Sequence, residues 1–325
     1  MQNNPIKYAQ KRLVWAATVV TLLLSQTSFA QQKIDQTLDT SDSPMVEMEH
    51  VQGKAEIKTW DKNQVRITGV LGSQTEEFTF EKRGNTVVID VEVKDNHYRW
   101  EDKKDAKDDL TVFVPVGSKL AYETVNSDVI VDGLKGGTSI GVVNGDIKAS
   151  NLANRVGVES VNGDVELKNI TGPLKIESVN GDIEAEHNST ETLEVESVNG
   201  EITLNSNSTD VTIETVNGDT LMSLGNIDEL TMASVNGDAK VSLTLNSDAE
   251  VEAETVGGSI TMSFNDNVSA RFDIEAHAGG KISNKLNNTS ISKAKYGPGQ
   301  WVEFTEGNGD ARVRISTVNG HITVE

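Results

Sequence analysis

Cysteine is absent from all 325 residues. Disulfides, thiolate metal sites, thiol catalysis and a lipid-modified cysteine anchor are thereby excluded, so packing alone must hold the fold. Aromatic residues make up only 5%, which leaves no material for a large aromatic core or a base-stacking platform. Positive charge is scarce as well. The 29 Lys and Arg stand against 50 Asp and Glu, a net charge of −21, the opposite of the basic footprint that nucleic-acid binding needs. Long apolar runs are missing too. Residues 13–24 form an apolar stretch of 12, short of the roughly 20 that span a bilayer as a helix.

That short run has a role of its own. Lys7, Lys11 and Arg12 precede it, and Ser28 and Ala30 follow at the −3 and −1 positions of a cleavage site. Residues 1–30 therefore read as a secretory signal peptide cut after Ala30; an uncleaved membrane anchor is the alternative. The expected product is exported, to the periplasm, cell surface or medium, with no integral membrane segment. Loss of three positive charges makes it more acidic still. Residues 31–45 are polar and are expected to be a disordered linker.

The rest of the chain is ruled by a repeat. A Val-Asn-Gly-Asp tetrapeptide or a close variant starts at Val125, Val143, Val161, Val179, Val198, Val216, Val235 and Val256, in steps of 18, 18, 18, 19, 18, 19 and 21 residues. Another starts at Val318, and a weaker copy, Ala278-Gly-Gly-Lys, follows Val256 by 22 residues. Apolar residues alternate on both sides of each turn, as in Leu174-Ile176-Ser178 and Ile183-Ala185. That is the period of strands with one buried face.

Two strands and two turns in 18–19 residues make one flattened coil. The expected fold is all-β: a single-chain parallel β-solenoid, or flattened β-helix, with equivalent strands stacked ~4.8 Å apart. Asn-Gly also suits antiparallel hairpins. Hairpins, however, give no reason for the same Asn and the same inward Ser or Thr in every unit, whereas stacked coils turn like residues into ladders. Asn126, Asn144, Asn162, Asn180, Asn199, Asn217, Asn236 and Asn319 are expected to form one amide ladder. Ser160, Ser178, Ser197, Thr215, Ser234 and Thr255 are expected to point inward at a narrow corner and to bond turn backbone. Residues 46–120 read as an N-terminal β cap or degenerate coils, with turn-like His50-Val-Gln-Gly-Lys and Gly69-Val-Leu-Gly-Ser. Asp95 to Asp109, with Tyr98 and Trp100, reads as a solvated charged loop. Residues 121–325 read as the solenoid, with a lateral loop near 284–300.

Ser-Val-Asn-Gly-Asp-Ile coils behind such a leader resemble the bacterial putative-adhesin family of unknown function. The opening Lys58-Thr-Trp-Asp-Lys-Asn-Gln-Val-Arg-Ile-Thr-Gly and the closing Ser316-Thr-Val-Asn-Gly-His-Ile resemble it too, so the likeness covers about residues 46–325. It implies an exported β-solenoid of the cell envelope and no catalytic residues.

Catalytic signatures are missing from the residues themselves. His50, His97, His187, His277 and His321 have no ligand spacing, and no His-Glu-x-x-His or P-loop pattern occurs. The Gly-rich turns open no helix and so make no phosphate cradle. Carboxylates remain. Asp164, Asp182, Glu201, Asp219 and Asp238, with Asp128 and Asp146, follow successive turns; Glu123, Glu159, Glu177, Glu196, Glu214 and Glu254 lie two before successive Val. Like charges ~4.8 Å apart repel by about 0.9 kcal/mol even in water. Either Ca²⁺ is held by the turn acids, the one candidate cofactor, or the rows solubilise the sheet while each Asp caps backbone N–H groups.

Three functional readings follow. The first is a non-enzymatic envelope protein that binds or scaffolds an envelope protein or glycan, adhesin-like, through its solenoid faces. The second is an envelope stress-sensing or regulatory protein that engages a partner through its cap or loops. The third is a β-helical polysaccharide-active enzyme, which would need longer coils and a groove of mixed charge.

Overall fold

The computed structural model describes residues 32–93, 107–265 and 268–325. The expected signal peptide, with Tyr98, Trp100 and most of the charged loop expected over Asp95 to Asp109, lies outside the described residues; the end of that loop is not solvated loop, since Asp108 and Asp109 open the strand Asp108–Pro115 and Asp108 is buried. Every regular element described is a strand, as the period-2 patterning requires. The chain is a flattened β-solenoid.

Each central coil is two strands joined by the Val-Asn-Gly-Asp turn. Leu174–Asn180 enters the turn and Ile183–His187 leaves it. The entering strand pairs in parallel with Val156–Asn162 on one side and Leu193–Asn199 on the other, residue for residue. Ile176, Val195 and Ile213 thus share one row with no solvent exposure. Burying one such side chain contributes ~1.5–3 kcal/mol, and the row repeats that gain at every step. The core lies between the two sheets. Alternation sends Glu177, Glu196 and Glu214 to the outside.

Glycine in the turn serves the stacking. Gly181 has φ 138, a region open to Gly at little cost. A Cβ there would lie 2.1 Å from the Gly163 carbonyl oxygen of the neighbouring coil. No other residue allows the coils to approach so closely.

At both ends the stacking order departs from the chain order. Met45–Trp60 lies between Lys119–Asp132 and a later pair of strands, Thr86–Val93 and Asp108–Pro115. The antiparallel strands Thr75–Arg83 and Gln64–Leu71 close that end. At the other end the last coil, Ala311–Thr317 and His321–Val324, stacks directly on the coil of Val256. The earlier Ala270–Ala276 and Lys281–Asn284 lie outside it, and antiparallel Gln300–Glu306 covers them. Phe272 stacks on Phe304 at 4.6 Å and meets Phe264 edge-on at 5.5 Å, which seals the last layer with apolar surface.

Three expectations change here. The polar stretch over residues 31–45 is not wholly disordered. Gln32–Asp39 is a strand antiparallel to Gln64–Leu71, held by buried Ile34 and by a two-bond Arg66–Asp35 pair at 2.8 Å. Gly69-Val-Leu-Gly is not a coil turn either, since it runs within and just past a capping strand. Ala278-Gly-Gly-Lys does form a turn, but its coil stacks on the Val318 coil and not on that of Val256.

Candidate functional site

The turn edge carries the two ladders that the spacing dictates. Asn144, Asn162, Asn180, Asn199, Asn217 and Asn236 each donate from Nδ2 to Oδ1 of the Asn one coil before, at 2.9–3.0 Å. The series begins at Asn126 and stops at Gly257, which holds the next position without an amide; Asn319 therefore stands beyond a gap and outside the ladder. Asn180 is both donor and acceptor. At ~0.5–1.5 kcal/mol net per bond, Asn180→Ala is expected to lower unfolding free energy by about 1–2 kcal/mol, read as a shifted urea midpoint at unchanged slope.

The turn acids form an adjoining exposed row that includes Asp164, Asp182, Glu201, Asp219 and Asp238. One oxygen of most is already engaged. Oδ1 of Asp128, Asp146, Asp164 and Asp182 accepts from the amide of Asp146, Asp164, Asp182 and Glu201, at 2.8–3.2 Å. The series skips Glu201 and resumes at Asp219 and Asp238, which cap Asp238 and Ser259 at 2.8 Å. These carboxylates thus bond the coil above, not their own turn. Among the described residues no three His, Asp or Glu side chains come together as a metal-holding group. Millimolar Ca²⁺ is expected to raise the melting temperature no more than NaCl of equal ionic strength, since both screen the row. A Ca²⁺-specific rise, lost in Asp182→Asn/Glu201→Gln/Asp219→Asn, would establish a binding row instead.

The inward Ser/Thr row is buried as expected, yet its hydroxyls do not generally reach turn backbone. Ser160 does, bonding the Gly163 carbonyl at 3.2 Å. The hydroxyls of Thr124, Ser178, Ser197, Thr215, Ser234 and Thr255 have no hydrogen-bond partner.

A polar network that sequence reasoning missed lies in the cap. His50 Nε2 is 3.1 Å from Asp108 Oδ2, and Nδ1 is 3.0 Å from the Tyr122 hydroxyl and 3.3 Å from Ser127 Oγ. Asp108 Oδ1 accepts from the Gly72 amide at 2.5 Å and from Thr75 at 2.9 Å. When Nε2–H donates to the carboxylate, Nδ1 is left to accept. Burial pushes the Tyr122 phenol well above its ordinary pKa, so it stays a donor. Ser127, His50 and Asp108 have the order of a nucleophile, base and orienting acid. All three are no more than 2% exposed, and Tyr122 competes for the nitrogen that would take the serine proton. This is the architecture of a buried structural network. A faint signal existed: His50 occupies the Ser/Thr position of its coil, paired with Thr124, and Ser127 replaces a turn Gly. His187 is likewise internal, between Ser206 Oγ at 3.1 Å and the Gly172 carbonyl at 2.7 Å, and burial lowers its pKa.

Accessible chemistry gathers on the outer face of the entering strands. The Val that opens each turn points outward, from Val161 at 39% exposed to Val256 at 49%. Beside this row runs the Glu row, interrupted by Gly141 and Ala233. Together they line a groove of about 1150 Å³ along the stack, from Glu49 to Val318. Lys175 reaches two of its acids, Glu177 at 2.7 Å and Glu196 at 3.1 Å, and also Glu194 at 2.8 Å, which does not line the groove; these bonds raise the lysine pKa. A second, smaller acidic hollow lies on the far side of the turns, around Asp164, Asp182 and Glu184.

Residues 46–295 match the family model described as Toastrack DUF4097. No curated protein matches the chain. Two solved structures are similar over nine-tenths of it. One is a putative cell adhesion protein from Clostridium sporogenes, 8% identical, covering 90% of this chain and 98% of that one with a TM-score of 0.25. The other is a putative adhesin from Bacteroides fragilis, 12% identical, covering 90% and 97% with a TM-score of 0.34. Superposition that loose carries no argument about function.

Proposed function

This chain belongs to the Toastrack DUF4097 family, and from that premise we propose that it is a non-enzymatic, exported cell-envelope protein that binds or scaffolds through its solenoid faces. One observation carries the reading: a repetitive groove of Val and Glu runs along the stack, while the described polar networks that resemble catalytic groups are buried. Regular rows on a rigid stack suit an extended contact with many similar subsites, not the transformation of one bond. Among the described residues no helix is long and apolar enough to cross a membrane, and the leader-like residues 7–30 support export.

Fractionation of the source cells tests export, and recovery of the full chain with washed envelopes tests binding. Retention on envelopes, with no turnover of anionic or neutral glycans, is the expected result. Hydrolysis or elimination of a glycan by pure protein would replace this reading with the enzymatic one.

A further inference from the structure

We propose that the groove of Val and Glu docks a cationic amphipathic α-helix. The proposal rests on the binding reading above and gives that binding a face and a partner chemistry.

The groove has two parallel requirements. Its Val row is an exposed apolar stripe on a protein whose other outward positions are mostly polar, and a stripe of that length marks an interaction surface. Its Glu row is unneutralised over most of its length: among the described residues Glu123, Glu159, Glu214 and Glu254 have no ion pair. Burial, and then repulsion from Asp90, Glu123, Glu92 and Glu47, holds Glu49 above the ordinary carboxylate range. Positive charge is what this end of the groove lacks. Lys175 shows what an incoming ammonium finds there: two groove carboxylates, Glu177 at 2.7 Å and Glu196 at 3.1 Å. A second copy of the chain would bring Glu against Glu, and an anionic lipid or glycan would be repelled.

Backbone chemistry selects the helix. The groove floor is made of strands whose N–H and C=O groups already pair with the coils on both sides. An extended segment laid along it would leave its own backbone groups without partners on an apolar stripe. A helix satisfies them internally and presents one apolar stripe flanked by charge. The seven coil steps from Val125 to Val256 cover ~34 Å at ~4.8 Å each, which about 22 helical residues match at ~1.5 Å per residue.

The test uses the full chain and a synthetic 22-residue Leu/Lys helix with Leu confined to one stripe, beside a scramble of the same composition. Fluorescence anisotropy is expected to show at least tenfold tighter binding of the helix. Val179→Ser/Val198→Ser/Val216→Ser is expected to weaken the helix at least tenfold and to leave the scramble unchanged. Glu177→Gln/Glu196→Gln/Glu214→Gln is expected to weaken both and to flatten their salt dependence. Glu184→Gln/Glu186→Gln, on the other sheet, is expected to change helix affinity less than twofold. Equal binding of helix and scramble, or a Val variant as tight as the native chain, overturns the proposal. Envelope retention, measured on the same proteins, separates the two readings. A native chain that stays on envelopes but ignores the helix keeps its binding role and loses this groove assignment; one that stays on no envelope loses the binding role itself.

Discussion

Val195→Asp is expected to yield insoluble or degraded protein, with no cooperative unfolding transition in whatever remains soluble. Val195 is wholly buried between Ile176 and Ile213 in adjoining coils, and the facing sheet leaves it no route to water. An unpaired carboxylate there costs several kcal/mol even after it takes up a proton. A domain has only about 5–15 kcal/mol in total. The cost would not stay local, because each coil's edge is the template for the next. Thr203→Asp, on an exposed outward position, is the control and should shift the melting temperature by about 2 °C or less. Equal behaviour of the two variants would show that the inward and outward sets have been exchanged.

Asp108→Ala should be nearly as damaging. It strips partners from His50 Nε2, the Gly72 amide and Thr75 at once, all beneath the cap. Removing one member of a buried charged network costs ~3–5 kcal/mol, expected as a large fall in urea midpoint. Asp108→Asn should lose less, for a stated reason. Its carbonyl can still accept from Gly72 and Thr75, while its NH₂ faces His50; the imidazole can then move its proton to Nδ1 and donate to the Tyr122 oxygen. A deeper loss for Asn than for Ala would contradict that arrangement.

The middle of this protein was legible because its pairing is local. When coil n contacts only coils n − 1 and n + 1, a period of 18–19 residues carries the register, the buried rows and the amide ladder together. Val195 and Asn180 could be placed from spacing alone. The ends were not legible, because their neighbours are chosen across long stretches of chain. Nothing around Met45–Trp60 announces that its partners are Lys119–Asp132, Thr86–Val93 and Asp108–Pro115. For the same reason Gln32–Asp39 read as a polar tail until the antiparallel edge of Gln64–Leu71 gave it a mate. The candidate site was half visible. Its Glu and Val positions are plain in the repeat, and so is the acidic row at the turns. That the Val row and Glu row enclose one groove, and that each turn Asp commits an oxygen to the coil above, depends on how coils sit on each other. The buried hydroxyls show the limit of pattern reading: inwardness follows from period 2, but the presence of a partner does not.

The inverted stacking at the two ends has a consequence for the time course of folding. During synthesis Met45–Trp60 emerges before all of its parallel partners and has no complete bed until Asp132 has followed it. The middle coils can meanwhile add one upon another as they appear. At the other end the outer coil of Ala270–Asn284 is made before the Ala311–Val324 coil that must lie beneath it. Ala311–Thr317 therefore enters a slot with an edge already made on either side. Once there, neither end coil can peel away, because each is held under a layer that must leave first. The stack is latched from within: freeing either of these two coils means breaking its ladders with neighbours on both sides.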